Sequence, residues 1–171
     1  ANDYGLVTWW AHGSSTGASY GYDECGWGTL FDRYKTVYLD DNHPSFVYQN
    51  SCLNGYPEVT TNLGYSILKQ GGIATVSASR VSWYLVGTWS PGAYGDNASI
   101  GYYWNQELVA NQESAGDALF LTKSDFYLYS GWQWMNLYDF NLYGDPSVNL
   151  ENPLNTPSNL RVTATTDSST T

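Results

Sequence analysis

Cations are scarce in this chain. Six Lys and Arg stand against sixteen Asp and Glu in 171 residues, a formal charge of −10. Such a surface repels nucleic acid and anionic membranes, so neither is expected as a partner. Cysteine is equally sparse: Cys25 and Cys52 alone cannot make a disulfide framework. Without a C-x-x-C or H-x-x-x-H pair, zinc has no chelating motif among Cys25, Cys52, His12 and His43. No apolar run approaches the roughly 18 residues of a membrane span, and no basic segment leads into an apolar one as in a signal peptide.

What is present is a globular composition, 42% hydrophobic, with 16 Tyr and 8 Trp, which points to one domain with a genuine core. Asn, Ser, Thr and Gly fill the polar positions, as in secreted proteins. The chain opens a few residues before an apolar run, so it is expected to be a mature or excised piece. After "LENPLNTP" the aromatics stop, and "PSNLRVTATTDSSTT" alternates at Leu160, Val162 and Ala164 like a first strand.

Three short runs of apolar and β-branched residues bounded by turn signals read as buried strands, at 5–10, 45–50 and 72–78. Between the last two, Leu63, Ile67 and Leu68 fall at helical spacing, with Thr61 as expected N-cap and Gly71 as C-cap. Strand, helix, strand implies a right-handed crossover and a parallel pair, hence an α/β domain. Ile100, Tyr103, Trp104 and Leu108 share one helical face, and Ala115, Ala118, Leu119 and Phe126 mark a second helix. The Gly- and Pro-punctuated stretch at 79–99 reads as a long loop or small hairpin.

Chemistry in an open parallel sheet sits at the carboxyl ends of strands. His12 follows "LVTWW" and Cys52 follows "FVYQN", so parallel neighbours bring a histidine and a thiol to one edge. A cysteine attacks as its thiolate, and an imidazole handles its proton and then protonates the leaving amine. Gly13, lacking Cβ, and the amide of Cys52 are the candidate oxyanion donors. The plainer readings are a structural strand-end histidine and a buried small hydrophobe. The matching contexts of the two residues set the dyad level with those plainer readings.

"TWWAHGSSTG", "YQNSCLNG", "GIATVSASRVSWY" and "LYGDPSVNL" together resemble, in order and spacing over residues 4–150, the gingipain-like cysteine peptidases of the caspase-like clan. The resemblance implies a caspase-like three-layer α/β sandwich with a mostly parallel sheet, spanning 1–152. It implies catalytic His12 and Cys52, and a substrate-lining loop from Ser79 to Trp89 with Ser79 and Trp83 binding substrate. Gly144, Asp145, Pro146 and Ser147 match a structural turn motif. The substrate would be a polypeptide and the location secreted or cell-surface, in a bacterium, with no cofactor required.

Family members carry strands ahead of the His strand, so a partner chain or N-terminal segment is expected to supply them here. Residues 153–171 resemble a linker and the first strand of a fibronectin type III module.

Cys25 is expected not to pair with Cys52, and His43 to be a solvated residue at the opposite end of the sheet. Structural calcium is open to the loops holding Asp23, Glu24, Asp40, Asp41 and Asp96, though no EF-hand spacing occurs. The rival function is an inactive domain serving as an adhesin or carbohydrate-binding module, with Trp9, Trp10, Trp27, Trp83, Trp89, Trp132 and Trp134 as stacking platforms. Such a module has no use for His-Gly and Ser-Cys at equivalent strand ends.

Overall fold

A computed structural model describes residues 5–22, 26–87, 90, 96–126 and 133–151. The central sheet takes its strands from the three apolar runs, β1 (Leu6–Trp10), β5 (Ser45–Asn50) and β6 (Gly72–Ala78), together with β7 (Phe140–Gly144). Their order is β1-β5-β6-β7. The first three strands are parallel and β7 is antiparallel to β6. Leu6 lies opposite Phe46 and Trp10 opposite Asn50, so the carboxyl ends of β1 and β5 coincide.

Side chains alternate across a strand, and the two faces of this sheet bury against different layers. Phe46, Tyr48, Ala74, Val76 and Ala78 face helices α2 (Asn97–Val109) and α3 (Ala115–Asp125), meeting Ile100, Trp104, Leu108, Ala118 and Leu119. Val47, with Val7 and Trp9, faces α1 (Leu63–Leu68) through Leu63 and Ile67. Each fully buried Leu, Ile or Phe side chain in these layers stabilises the fold by about 1.5–3 kcal/mol. Gly101 lets α2 close on the sheet, because a Cβ there would lie 2.4 Å from Tyr48 Cε1. The Tyr48 hydroxyl, buried with the ring, donates to the Asn97 carbonyl at 2.6 Å.

A second sheet, absent from the sequence reading, follows β1 directly. Its strands β2 (His12–Ser14), β3 (Gly17–Tyr22) and β4 (Gly26–Asp32) form an antiparallel meander. Ala18 and Phe31 of this sheet pack on the α1 side of the core. His12 therefore begins a new strand and does not merely end the first. Glycines at 17, 21, 26 and 28 dilute the alternation that would otherwise have announced these strands.

Helix α1 is capped by Asn62, whose Oδ1 accepts from Tyr65 N at 2.9 Å, and Thr61 is not its cap. The Thr61 hydroxyl is engaged by Arg33 Nη1 at 2.6 Å instead. The helical C-cap is Lys69. Gly71, at φ +135°, turns the chain two residues later into β6. The second expected helix stops at Asp125, with Phe126 extended at its C-cap. Besides the second sheet, the elements without a periodic signal in the sequence are β7, a short 3-10 turn (Lys35–Tyr38) and α4 (Gln133–Asp139).

Candidate active site

At the end of β5 the chain enters a tight loop anchored on both flanks. Ala11 N donates to Asn50 O at 3.0 Å on the β1 side. On the β6 side Leu53 N donates to Arg80 O at 3.0 Å, and Gly55 N to Ala78 O at 2.9 Å. Leu53 stands in the left-handed region at φ +59°, a conformation costing a branched residue about 1–2 kcal/mol. Fully buried Asn54 holds the turn: its Nδ2 donates to Ser14 O at 2.7 Å and Gly17 O at 3.0 Å, while its Oδ1 accepts from the Ser51 hydroxyl. Trp9 Nε1 reaches the same hydroxyl at 3.2 Å. The Tyr143 hydroxyl donates to Gly55 O, and burial pushes that phenol above its ordinary range.

Cys52 sits in the middle of this loop as a free, half-buried thiol. Ser82 surrounds its sulfur. The Ser82 amide donates to Sγ at 3.4 Å, its hydroxyl lies at 3.8 Å, and its carbonyl is placed to accept from the thiol at 3.5 Å. Asn97 Nδ2 donates to Ser82 Oγ at 3.1 Å, which leaves the hydroxyl proton free to point at sulfur. The Cys52 amide meets no acceptor among the described residues.

His12 approaches from the second sheet with an exposed ring that stands edge-on to Trp27, centroids 4.8 Å apart at 78°. Gly13 seals the join: a Cβ on it would fall 2.0 Å from Cys52 O and 2.7 Å from Cys52 N. Only a residue without a side chain allows these two backbones to touch. His12 and Cys52 both line one cleft of about 390 Å³, walled by Trp10, Tyr20, Ser82, Tyr84, Leu85 and Val86.

The model of peptidase family C25 matches residues 1–151. The chain belongs to peptidase family C25. The solved structure of the Arg-specific cysteine proteinase gingipain R is similar over 84% of this chain and 33% of that one, with TM-score 0.59 and 18% sequence identity. A second solved structure, described as that of a protease, is 15% identical over 84% of this chain and 35% of its own, with TM-score 0.46. At 18% identity the likeness to gingipain R is one of fold, and the fold is its caspase-like α/β architecture. The chain spans about a third of that protein's length. No curated protein sequence matches it. Membership in a family of cysteine peptidases does not favour the adhesin reading.

Within this C25 chain the residues singled out from sequence separate into two groups. His12 and Cys52 line the cleft, and Gly13, outside that lining, packs against the Cys52 backbone. Ser79 and Trp83 are not among its described lining. Ser79 is tied away from it, its amide on Asp139 O at 2.8 Å and its hydroxyl accepting from Asn141 at 3.3 Å. Trp83 is clamped by Asn136, which accepts from its amide at 2.8 Å and donates to its carbonyl at 2.7 Å. Ser82 and the consecutive residues Tyr84, Leu85 and Val86 line the cleft around it. Nothing in the run "SRVSWYLV" reveals which of its residues line the cleft.

His43 lies ahead of β5, exposed, with Nδ1 2.8 Å from Asp40 Oδ2. The Asn42 amide and then His43 hold the Asp40 carboxyl below its usual range. Asp145 accepts from the Ser147 hydroxyl at 2.7 Å and amide at 2.9 Å, making "GDPS" a self-bonded turn. Among the described residues no three metal-ligating side chains cluster. Asp23, Glu24, Cys25, Trp89, Trp132 and the tail from 152 lie outside the described residues.

Proposed function

We propose that this chain carries the nucleophile and the general base of a secreted bacterial cysteine endopeptidase. Cys52 Sγ attacks the scissile carbonyl carbon and its proton passes to His12. The amides of Gly13 and Cys52 donate to the oxygen as it becomes an oxyanion. The tetrahedral intermediate collapses, the C–N bond breaks, and His12 returns the proton to the leaving amine. Water then attacks the thioester, His12 takes its proton, and the carboxylic acid leaves as the thiol is restored. The Ser82 amide and hydroxyl steady the thiolate, and Asn97 aims that hydroxyl.

The observation that supports this reading most strongly is the backbone contact between Gly13 and Cys52. It brings the backbone beside His12 against that of Cys52, 39 positions further along the chain. Replacing Cys52 by Ala in the protein at its native length is expected to lower peptide hydrolysis by at least about 10⁴-fold while leaving circular dichroism unchanged. His12→Ala is expected to do the same. Undiminished hydrolysis in either variant sinks the assignment.

The peptidase unit is read as 1–152 and the tail as a linker leading into a fibronectin type III-like module. The outer edge of β1, unpaired among the described residues, is read as the seat of a further strand from an N-terminal segment or partner chain. Apolar grooves of about 310 and 340 Å³ flank that edge, one beside Val7 and Phe31, the other beside Thr8 and Tyr102. A strand laid there would bury both, and gel filtration with a candidate partner chain reads its binding.

A further inference from the structure

The loop that follows Cys52 is gripped by a single residue. Arg80, just past the end of β6, reaches its guanidinium to the far side of that loop. Its Nη2 donates to Glu58 Oε1 at 2.7 Å and its Nη1 to Glu58 Oε2 at 3.2 Å. The same group lies over the Tyr56 ring, 5.1 Å from the centroid. On the near side the Arg80 carbonyl accepts from Leu53 N at 3.0 Å. Backbone and side chain of one residue thus hold the loop at Leu53, Tyr56 and Glu58.

The grip is stiff in the directions that matter. Paired N–H donors on one carboxylate fix both its distance and its plane, and the flat face against an aromatic ring adds a constraint across that plane. Nη1 also donates to the Ser79 carbonyl at 2.8 Å, which ties the guanidinium to its own segment. The side chains of Arg80 and Glu58 are 50% and 52% exposed, so the pair adds little to global stability. What it supplies is local order, beside a loop that already carries Leu53 at φ +59°.

That order bears on the sulfur. Ser79, the residue before Arg80, is anchored through its amide to Asp139 O at 2.8 Å. Ser82, two residues after Arg80, brings its amide to 3.4 Å from Cys52 Sγ. A slip of the loop against this segment therefore moves the thiol away from its donor. The guanidinium is felt on the neighbouring elements too: burial raises the Asp139 carboxyl and the Tyr143 phenol above their ordinary ranges, and Arg80 draws each partly back.

We infer that Arg80 is a positioning residue for the thiol, its clasp on Tyr56 and Glu58 keeping the Cys52 loop seated against the segment that brings Ser82 to the sulfur. The inference rests on Cys52 being the nucleophile. Arg80 and Glu58 act through the loop, so their effect falls on kcat and leaves KM unchanged.

Peptide hydrolysis, thermal melting and iodoacetamide labelling of Cys52 are compared, at native length, for the wild type, Arg80→Ala, Glu58→Ala and the double variant. Arg80→Ala is expected to lower kcat about tenfold, with KM within about twofold and the melting temperature within about 3 °C of the wild type. Glu58→Ala is expected to lower kcat about threefold and to add nothing once Arg80 is Ala, because the clasp is then already open. Should Arg80→Ala fail to fold, Glu58→Ala alone decides. Unchanged kcat, a loss confined to KM, or losses that simply multiply in the double variant overturn the inference and leave the peptidase reading intact. If the wild type cleaves no peptide, labelling reads the clasp by itself. Labelling of Cys52 slowed about threefold in Arg80→Ala, and no further in the double variant, then upholds it. Equal or faster labelling, or no labelling of Cys52 in either protein, overturns it.

Discussion

The two halves of the candidate dyad are held in opposite ways. Cys52 lies in a loop stitched to β1 on one flank and β6 on the other, with buried Asn54 at its centre and Ser82 around its sulfur. His12 stands on a three-residue strand of a separate small sheet, and its ring touches Trp27 but forms no hydrogen bond among the described residues. Cys52 is thus positioned by the main sheet, and His12 by a hairpin sheet joined to it at Gly13 and Asn54. A rigid nucleophile beside a more lightly held imidazole suits a reaction in which the imidazole must first face the thiol and then the leaving amine.

The join itself is the place where this contrast breaks most severely. Gly13→Ala would drive a methyl into the Cys52 backbone, where no flexible side chain can yield. We expect a stability loss of about 3 kcal/mol in denaturant titration and a fall in turnover of about 100-fold, because the two sheets must part. A variant that keeps wild-type stability and rate would mean that Gly13 and Cys52 do not touch.

Next in size is Asn54→Ala. It removes the donor to Ser14 O, one of the two donors on Gly17 O and the acceptor of the Ser51 hydroxyl, and is expected to cost about 2–3 kcal/mol of stability. Turnover should fall with it, and amide hydrogen exchange should quicken in β2 more than in β5. Uniform quickening across both strands would argue that the second sheet is not a separately docked unit.

Trp27→Ala addresses the base alone. Trp27 is exposed, so thermal stability should change by less than about 1 kcal/mol, while turnover drops about fivefold as His12 loses its orienting edge contact. Restoration by Trp27→Phe, which keeps a ring edge, separates orientation from a general disturbance of β4. Failure of that rescue would leave the contact structural.

The smallest effect is expected on the other side of the comparison. Ser82→Ala removes a hydroxyl 3.8 Å from sulfur but keeps the amide donor, so iodoacetamide labelling of Cys52 at neutral pH should slow only about threefold. An unchanged rate would assign the hydroxyl to packing.

Much of this arrangement was legible in the residues. "LVTWW", "SFVYQN" and "GIATVSA" each pair short apolar runs with turn signals, and they became three adjacent parallel strands in register. His-Gly and Ser-Cys at two such ends pointed to a shared edge, because parallel strands bring their carboxyl ends together whatever their separation along the chain. The meander at 12–32 escaped notice because its glycines carry no side chain to display a period.

By itself, then, the sequence determined which three segments form the parallel strands, the α/β class, and the chemistry of the pair that could react; it read 5–10 as buried, whereas β1 is only half-buried and Trp10 is exposed. Only the tertiary structure decided that Gly13 lies against the Cys52 backbone, that Ser82 meets the sulfur, and that Tyr84, Leu85 and Val86 line the cleft. The reason is physical. Strand pairing is a sum over many residues and survives small errors, whereas a site depends on which few residues of distant segments come within bonding distance of one another.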